Sequence, residues 1–242
     1  MERETKASRP FVFILSVGAI QVLGIAAIVM TAVWMAKYLG GFAWDGSSQE
    51  FNYHPLLMVT SMVFLFSEAI IVYRVFRHEN KFVVKLVHFG LQLVAFCVAV
   101  VGLKAAFDYH NANNINNLYS LHSWCGLITI ILFTTQLVFG FVSFLFPTLP
   151  DGPRATYLSV HVFFGIFIFA LAIGTVLLGI NEKLFFTGVY ASLPAQAQLG
   201  NVLGLTVIVL AGIVVFVVTN DAFKRVDTEE GERVSLINNG KE

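Results

Sequence analysis

Six runs of apolar residues, separated by short polar stretches, dominate the chain, at about 11–36, 53–73, 84–107, 120–146, 157–180 and 200–219. Each is near the roughly 20 residues that an α-helix needs to cross a hydrocarbon core. Lipid offers no partner for open backbone groups, so all six are predicted to be α-helices. The connections are short, which predicts antiparallel neighbours in one bundle. The pattern therefore describes an all-α membrane protein with six transmembrane helices. One domain is expected over residues 1–220, with a polar, flexible cytosolic tail over 221–242.

Composition agrees with the pattern. Of 242 residues, 57% are hydrophobic and 12% charged, and the mean hydropathy is +0.77. These values exclude an ordinary soluble domain and make domain counting by length meaningless. Net charge is zero, which becomes informative only once the charges are placed along the chain. Arg3, Lys6, Arg9, Arg74, Arg77, Lys81, Lys85, Arg154, Lys224, Arg225, Arg233 and Lys241 fall on one side of the membrane, and Lys37, Lys104 and Lys183 on the other. By the positive-inside rule both termini are cytoplasmic. The first apolar run is long enough to remain as a span, and no cleavable signal pattern precedes it. Cys97 and Cys125 both lie in apolar runs, which excludes a disulfide framework and leaves two thiols packing as small hydrophobes. In the tail, residues 232–237 (Glu-Arg-Val-Ser-Leu-Ile) resemble an acidic dileucine sorting signal. The lipid bilayer is an obligatory partner; no nucleic-acid partner is expected.

The chemistry lies in the histidines. His54 opens the second helix and His122 the fourth, both from the non-cytoplasmic side; His88 opens the third and His161 the fifth, both from the cytoplasmic side. Depth follows from these positions, so His54 and His122 share one leaflet and His88 and His161 the other. The spacing from His54 to His122 is 68 residues and from His88 to His161 is 73, the pattern of two like-oriented hairpins related by an axis along the membrane normal. Neutral imidazole suits an axial position of haem iron, and two histidines from opposed helices at one depth can clamp the macrocycle between them. Position near helix N-termini would keep the rings neutral. Each single histidine has a blander reading, as a hydrogen-bonded tie between helices or a proton relay. Four of them matched in depth favour haem. Zinc is disfavoured because neither pair has a carboxylate or thiol at ligand spacing.

The stretches Phe51-Asn52-Tyr53-His54-Pro55, Val72-Tyr73-Arg74, Phe107-Asp108-Tyr109-His110, Leu118-Tyr119-Ser120-Leu121-His122-Ser123-Trp124 and His161-Val162-Phe163-Phe164-Gly165 resemble the cytochrome b561 family of transmembrane ascorbate-dependent reductases. The resemblance spans all six helices. It implies a central four-helix bundle, helices two to five, holding two non-covalent haem b groups. His54 and His122 would ligate the outer one and His88 and His161 the inner one. It also implies a cytosolic ascorbate site at Lys81, Lys85 and Arg154, to which the Val-Tyr-Arg match adds Arg74. Converging cations suit an anionic reductant. On the outer side His110, Asp108 and Asn111 are candidates for the acceptor site, the acceptor being monodehydroascorbate or a ferric or cupric complex. Family members form homodimers and act in endo-lysosomal or secretory vesicle membranes or at the plasma membrane.

Two rival functions remain open at this stage. A haem-free transporter using the histidines as proton relays would follow pH instead of reductant. A quinol-linked cytochrome b subunit would carry haem but take electrons from the bilayer. Glu68 and Gln92 stay unassigned: Glu68 could be protonated, or pair with a cation of the inner site or with Gln92, and Gln92 lies one turn from His88.

Overall fold

A computed structural model describes residues 2–225, with side chains from Pro10 onward. Six helices in it are long and apolar enough to cross a membrane: α1 (Pro10–Tyr38), α2 (Ser48–Val75), α3 (Lys81–Ala112), α4 (Leu121–Phe144), α5 (Asp151–Phe186) and α6 (Ala195–Thr219). The helix of α1 begins at Glu2, ahead of the apolar part. Several of the others also outrun the apolar stretches that announce them, because polar first turns carry their own caps. Asn80 accepts the Phe82 N–H at 2.9 Å at the start of α3, and Ser120 and Ser123 form a reciprocal capping box at the start of α4.

The consequence for the histidines is a correction. Only His122 sits in the first turn of its helix; His54, His88 and His161 lie about two to three turns inside theirs. The field of a helix dipole falls off within the first or last turn, so it bears on His122 and not on the others.

The hairpins α2–α3 and α4–α5 pack closely, and α1 and α6 pair with each other against α2 and α5. The most enclosed helix is α2, with Val59, Val63, Phe66, Ala69 and Val72 all buried. Large apolar side chains such as Val22, Ile131, Phe163 and Leu205 are exposed on the outer faces, which is the surface a bilayer solvates. Close helix approach uses small residues. A Cβ at Gly200 of α6 would lie 3.0 Å from Trp34 and 3.1 Å from Leu184. At the loop between α1 and α2, Gly40 and Gly41 adopt φ of +84° and +85°, where a side chain would be strained. Buried Asn52 fixes that turn by donating to the carbonyls of Leu39 and Gly41 at 2.8 and 2.7 Å.

After α6 the chain does not leave the bundle at once. Asp221–Phe223 form a 3-10 turn and Phe223 is buried, so packed structure extends past residue 220. The remainder of the expected tail, with the dileucine-like residues 232–237, lies outside the described residues.

Candidate functional site

One cavity lies at the end of the bundle carrying the termini (the terminal end) and another at the opposite, far end. The far cavity, about 200 Å³, is lined by Phe51, His54, His110, His122, Glu182 and Lys183 among others. The rings of His54 and His122 face each other across it with centres 6.0 Å apart and planes 83° apart. The terminal cavity, about 780 Å³, is lined by His88 and His161, whose ring centres are 6.2 Å apart and planes 69° apart.

Three of these imidazoles are fixed in the same way, each by a carbonyl of its hairpin partner. His54 Nδ1 lies 3.0 Å from Gly102 O on α3, His88 Nδ1 2.7 Å from Ala69 O on α2, and His122 Nδ1 2.9 Å from Thr175 O on α5. A carbonyl only accepts, so each Nδ1 carries the hydrogen and each Nε2 keeps its lone pair for a metal. His161 departs from the rule. Its Nδ1 is buried with no hydrogen-bond partner among the described residues, while Gln136 donates to its backbone carbonyl at 3.3 Å. Glycine makes space for two of the rings: a Cβ at Gly179 would lie 2.7 Å from His122 Cε1, and one at Gly140 would lie 3.1 Å from His161 Cε1.

These pairs fit a haem. An imidazole–metal bond is about 2 Å and a ring centre lies roughly 1 Å behind its nitrogen, so two axial rings on one iron stand about 6 Å apart. Both pairs have that separation. Among the described residues no group of three or more His, Cys, Asp or Glu side chains gathers as a bare ion would want. A macrocycle that brings its own equatorial nitrogens needs only the two. Unpartnered buried polar atoms line the terminal cavity, namely His161 Nδ1, Gln92 Oε1 and Arg225 Nη1, and Trp34 Nε1 lines the far one.

Charge separates the two ends. Arg74, Lys81, Lys85 and Arg154 all line the terminal cavity, and so do Lys224 and Arg225, which were not among the candidates from sequence. Among the described residues, one acidic side chain stands against these six cations in the lining, Asp151, which pairs with Arg154. Lys85 lies close enough to Arg154 and Lys81 to feel their charge. Two of the cations also brace the bundle: Arg74 donates to Val218 O on α6, and Lys85 to Phe144 O at 3.3 Å.

At the far end, His110 lines the cavity, but Asp108 and Asn111 do not. Asp108 is paired with Lys104 one turn before it. Asn111 accepts from Asn117 Nδ2 at 2.9 Å, which leaves Asn117 Oδ1 to accept from His110 Nδ1 at 3.2 Å. His110 Nε2 therefore keeps its lone pair. The Phe51 ring stands between His54, at 5.6 Å, and His110, with which it stacks at 6.2 Å. Lys183 caps the same ring at 4.9 Å. Glu182 accepts from Ser120 Oγ at 3.1 Å and from Tyr119, whose phenol is pushed up to about 12 by burial and by that carboxylate, and so keeps its proton. Glu182 and Lys183 were visible in sequence only as charges at the end of an apolar run.

Glu68 accepts from Gln21 Nε2 of α1 at 2.6 Å, and among the described residues its partner is neither an inner cation nor Gln92.

Comparison with known proteins places these features among relatives. Residues 53–187 match the family model described as eukaryotic cytochrome b561. The chain is 41% identical over 238 residues to a transmembrane ascorbate-dependent reductase of Homo sapiens, covering 98% of this chain and 94% of that one. It is 43% identical over 224 residues to a lysosomal membrane ascorbate-dependent ferrireductase of Danio rerio, covering 88% and 90%. It is 43% identical over 213 residues to a plasma membrane ascorbate-dependent reductase of Xenopus tropicalis, covering 86% and 75%.

Proposed function

Because the chain belongs to the eukaryotic cytochrome b561 family, we propose that it is a transmembrane oxidoreductase taking single electrons from cytosolic ascorbate to an acceptor on the other face of the membrane. Two haem b groups would be held, one between His88 and His161 at the terminal end and one between His54 and His122 at the far end. A bis-imidazole haem supplies a one-electron ferric/ferrous couple with no axial position open to oxygen. The observation that carries the reading is the pair of facing histidines at each end, with the cation-lined cavity beside only one of them.

The chain's own residues divide the work. The carbonyls of Gly102, Ala69 and Thr175 orient three imidazoles and fix their tautomers. Arg74, Lys81, Lys85 and Arg154 attract and orient the ascorbate anion beside His88 and His161. The distribution of basic residues supports a cytosolic position for this end. At the far end His110 offers Nε2 to a ferric chelate, or a hydrogen-bond acceptor to monodehydroascorbate, with Phe51 packed between it and His54. A ferric acceptor is supported by the relative named as a ferrireductase. The relatives named as lysosomal and plasma membrane proteins support one of those membranes as its place.

The test is an absorbance spectrum of the purified protein before and after ascorbate. Haem bands that sharpen to the reduced form on adding ascorbate are expected. A protein without haem bands, or one reduced by a quinol and indifferent to ascorbate, would overturn the reading. In His122→Ala the far-end haem should be lost and much of the other signal kept.

A further inference from the structure

The segment after α6 supplies a cation that the ascorbate site as read from sequence does not contain. Arg225 lines the terminal cavity together with Arg74, Lys81, Lys85 and Arg154. Its Nη1 is buried and has no hydrogen-bond partner among the described residues. Tyr73, in the same wall and 5.5 Å ring to ring from His88, lies within reach of its charge. A buried guanidinium nitrogen without an acceptor among the described residues, in a cavity where the one acidic lining residue among them is engaged by Arg154, is a donor prepared for an anion.

Its position is built, not left to a loose end. Asn220 Oδ1 caps the turn by accepting the Ala222 N–H at 3.0 Å. Phe223 is buried, with its ring 5.1 Å from Phe13 of α1 and 5.9 Å from Phe216 of α6. Asp221 holds Lys224 at 2.5 Å, and that pairing keeps the Asp221 carboxyl below the usual carboxylate range. Arg74 donates to Val218 O at the same corner. One residue past Lys224, the chain turns Arg225 into the cavity while its neighbour's charge is already matched.

We propose that Arg225 is an anion-binding residue of the terminal cavity, its planar fork holding a carboxylate or enolate oxygen. That oxygen belongs either to a propionate of the haem between His88 and His161 or to the arriving ascorbate; the chemistry is shared and the readouts differ. The proposal rests on the function argued above and deepens it.

The test uses the full-length, haem-loaded protein with Arg225→Gln, and Arg77→Gln as the control, since Arg77 stacks on Phe13 and does not line the cavity. Two quantities are measured: the midpoint potentials by redox titration, and the ascorbate KM from the rate of haem reduction. If Arg225 holds ascorbate, the KM rises about tenfold, the worth of one charge-assisted hydrogen bond, and the potentials stay where they were. If it holds a propionate, loss of the cation favours the ferric state, so one potential falls and the KM is unchanged. Arg77→Gln should move neither. Should Arg225→Gln fail to load haem, Arg225→Lys, which keeps the charge and loses the fork, gives the same two readouts with smaller changes. Wild-type behaviour of the glutamine variant in both quantities overturns the role of Arg225 while leaving the ascorbate reading intact. Failure of the wild-type haem to respond to ascorbate overturns that reading and this one with it.

Discussion

The imidazole of His122 occupies space that a glycine at position 179 leaves open. An added Cβ would lie 2.7 Å from Cε1 and 3.0 Å from Nδ1 of that ring, so the ring must move, and Nδ1 is also its anchor to Thr175 O. Gly179→Ala should therefore lose or strongly shift the redox wave of the far-end haem and leave the other in place, as read by redox titration with visible spectra. Gly140→Ala should do less. Its Cβ would meet His161 at 3.1 Å, and that ring is not pinned by a carbonyl, so it can give by a few tenths of an ångström. Equal damage from the two substitutions would count against this account of how the rings are held. The histidines and their meeting two by two were legible in the sequence, because polar residues at the edges of apolar runs report depth. The glycines were not, since nothing in a run of apolar residues says which small one faces a ring from the next helix. Nor did spacing announce that His161 would lack the carbonyl that its three counterparts have.

At the scale of elements, α2 does the most to join the two ends. Nineteen residues of ordinary α-helix from His54 to Tyr73 make about 5.3 turns, which would leave the two side chains on different faces. Residues Val59–Leu65 are wound as a π-helix, and the wider ring takes up about a third of a turn, so that His54 reaches the far cavity and Tyr73 the terminal one. Hydrophobicity read at a fixed period cannot reveal a change of period inside a continuous apolar run, so the span was legible and its winding was not. The same helix carries Glu68, whose partner Gln21 lies 47 positions earlier on α1, beyond any local pattern. Removing only the donor, in Gln21→Leu, leaves a carboxyl within the span without its hydrogen bond and should destabilise the protein by about 1–3 kcal/mol. The double variant Gln21→Leu with Glu68→Leu should recover most of that, because both polar groups are gone. Thermal unfolding in detergent checks the cycle, and a double variant no more stable than Gln21→Leu would mean that the pair does not act as a tie.

Over the whole molecule, the near-repeat of α2–α3 and α4–α5 places similar histidine pairs at both ends, yet the surroundings of the two pairs differ in charge. Among the described residues six cations and one carboxylate line the terminal cavity, whereas Lys183 and Glu182 offset each other in charge at the far one. The family resemblance made four of the six legible as an anion site; the positive-inside rule could not, because it acts on every cytosolic loop alike. Only the fold shows that Arg77 stacks on Phe13 outside the cavity while Arg225, from the other end of the sequence, lies inside. This asymmetry gives the two half-reactions different sensitivities to salt. The Debye length falls from about 10 Å at 0.1 M to about 3 Å at 1 M, so a field summed over six cations is screened while a balanced pair has little field to lose. Raising salt from about 0.05 to 0.5 M should slow haem reduction by ascorbate severalfold, mainly through KM. Reoxidation of the reduced protein by a neutral ferric chelate over the same range should change less than about twofold. Stopped-flow measurement of the two half-reactions checks this, and a reoxidation rate more sensitive to salt than the reduction rate would place the anion-collecting end on the wrong side of the bundle.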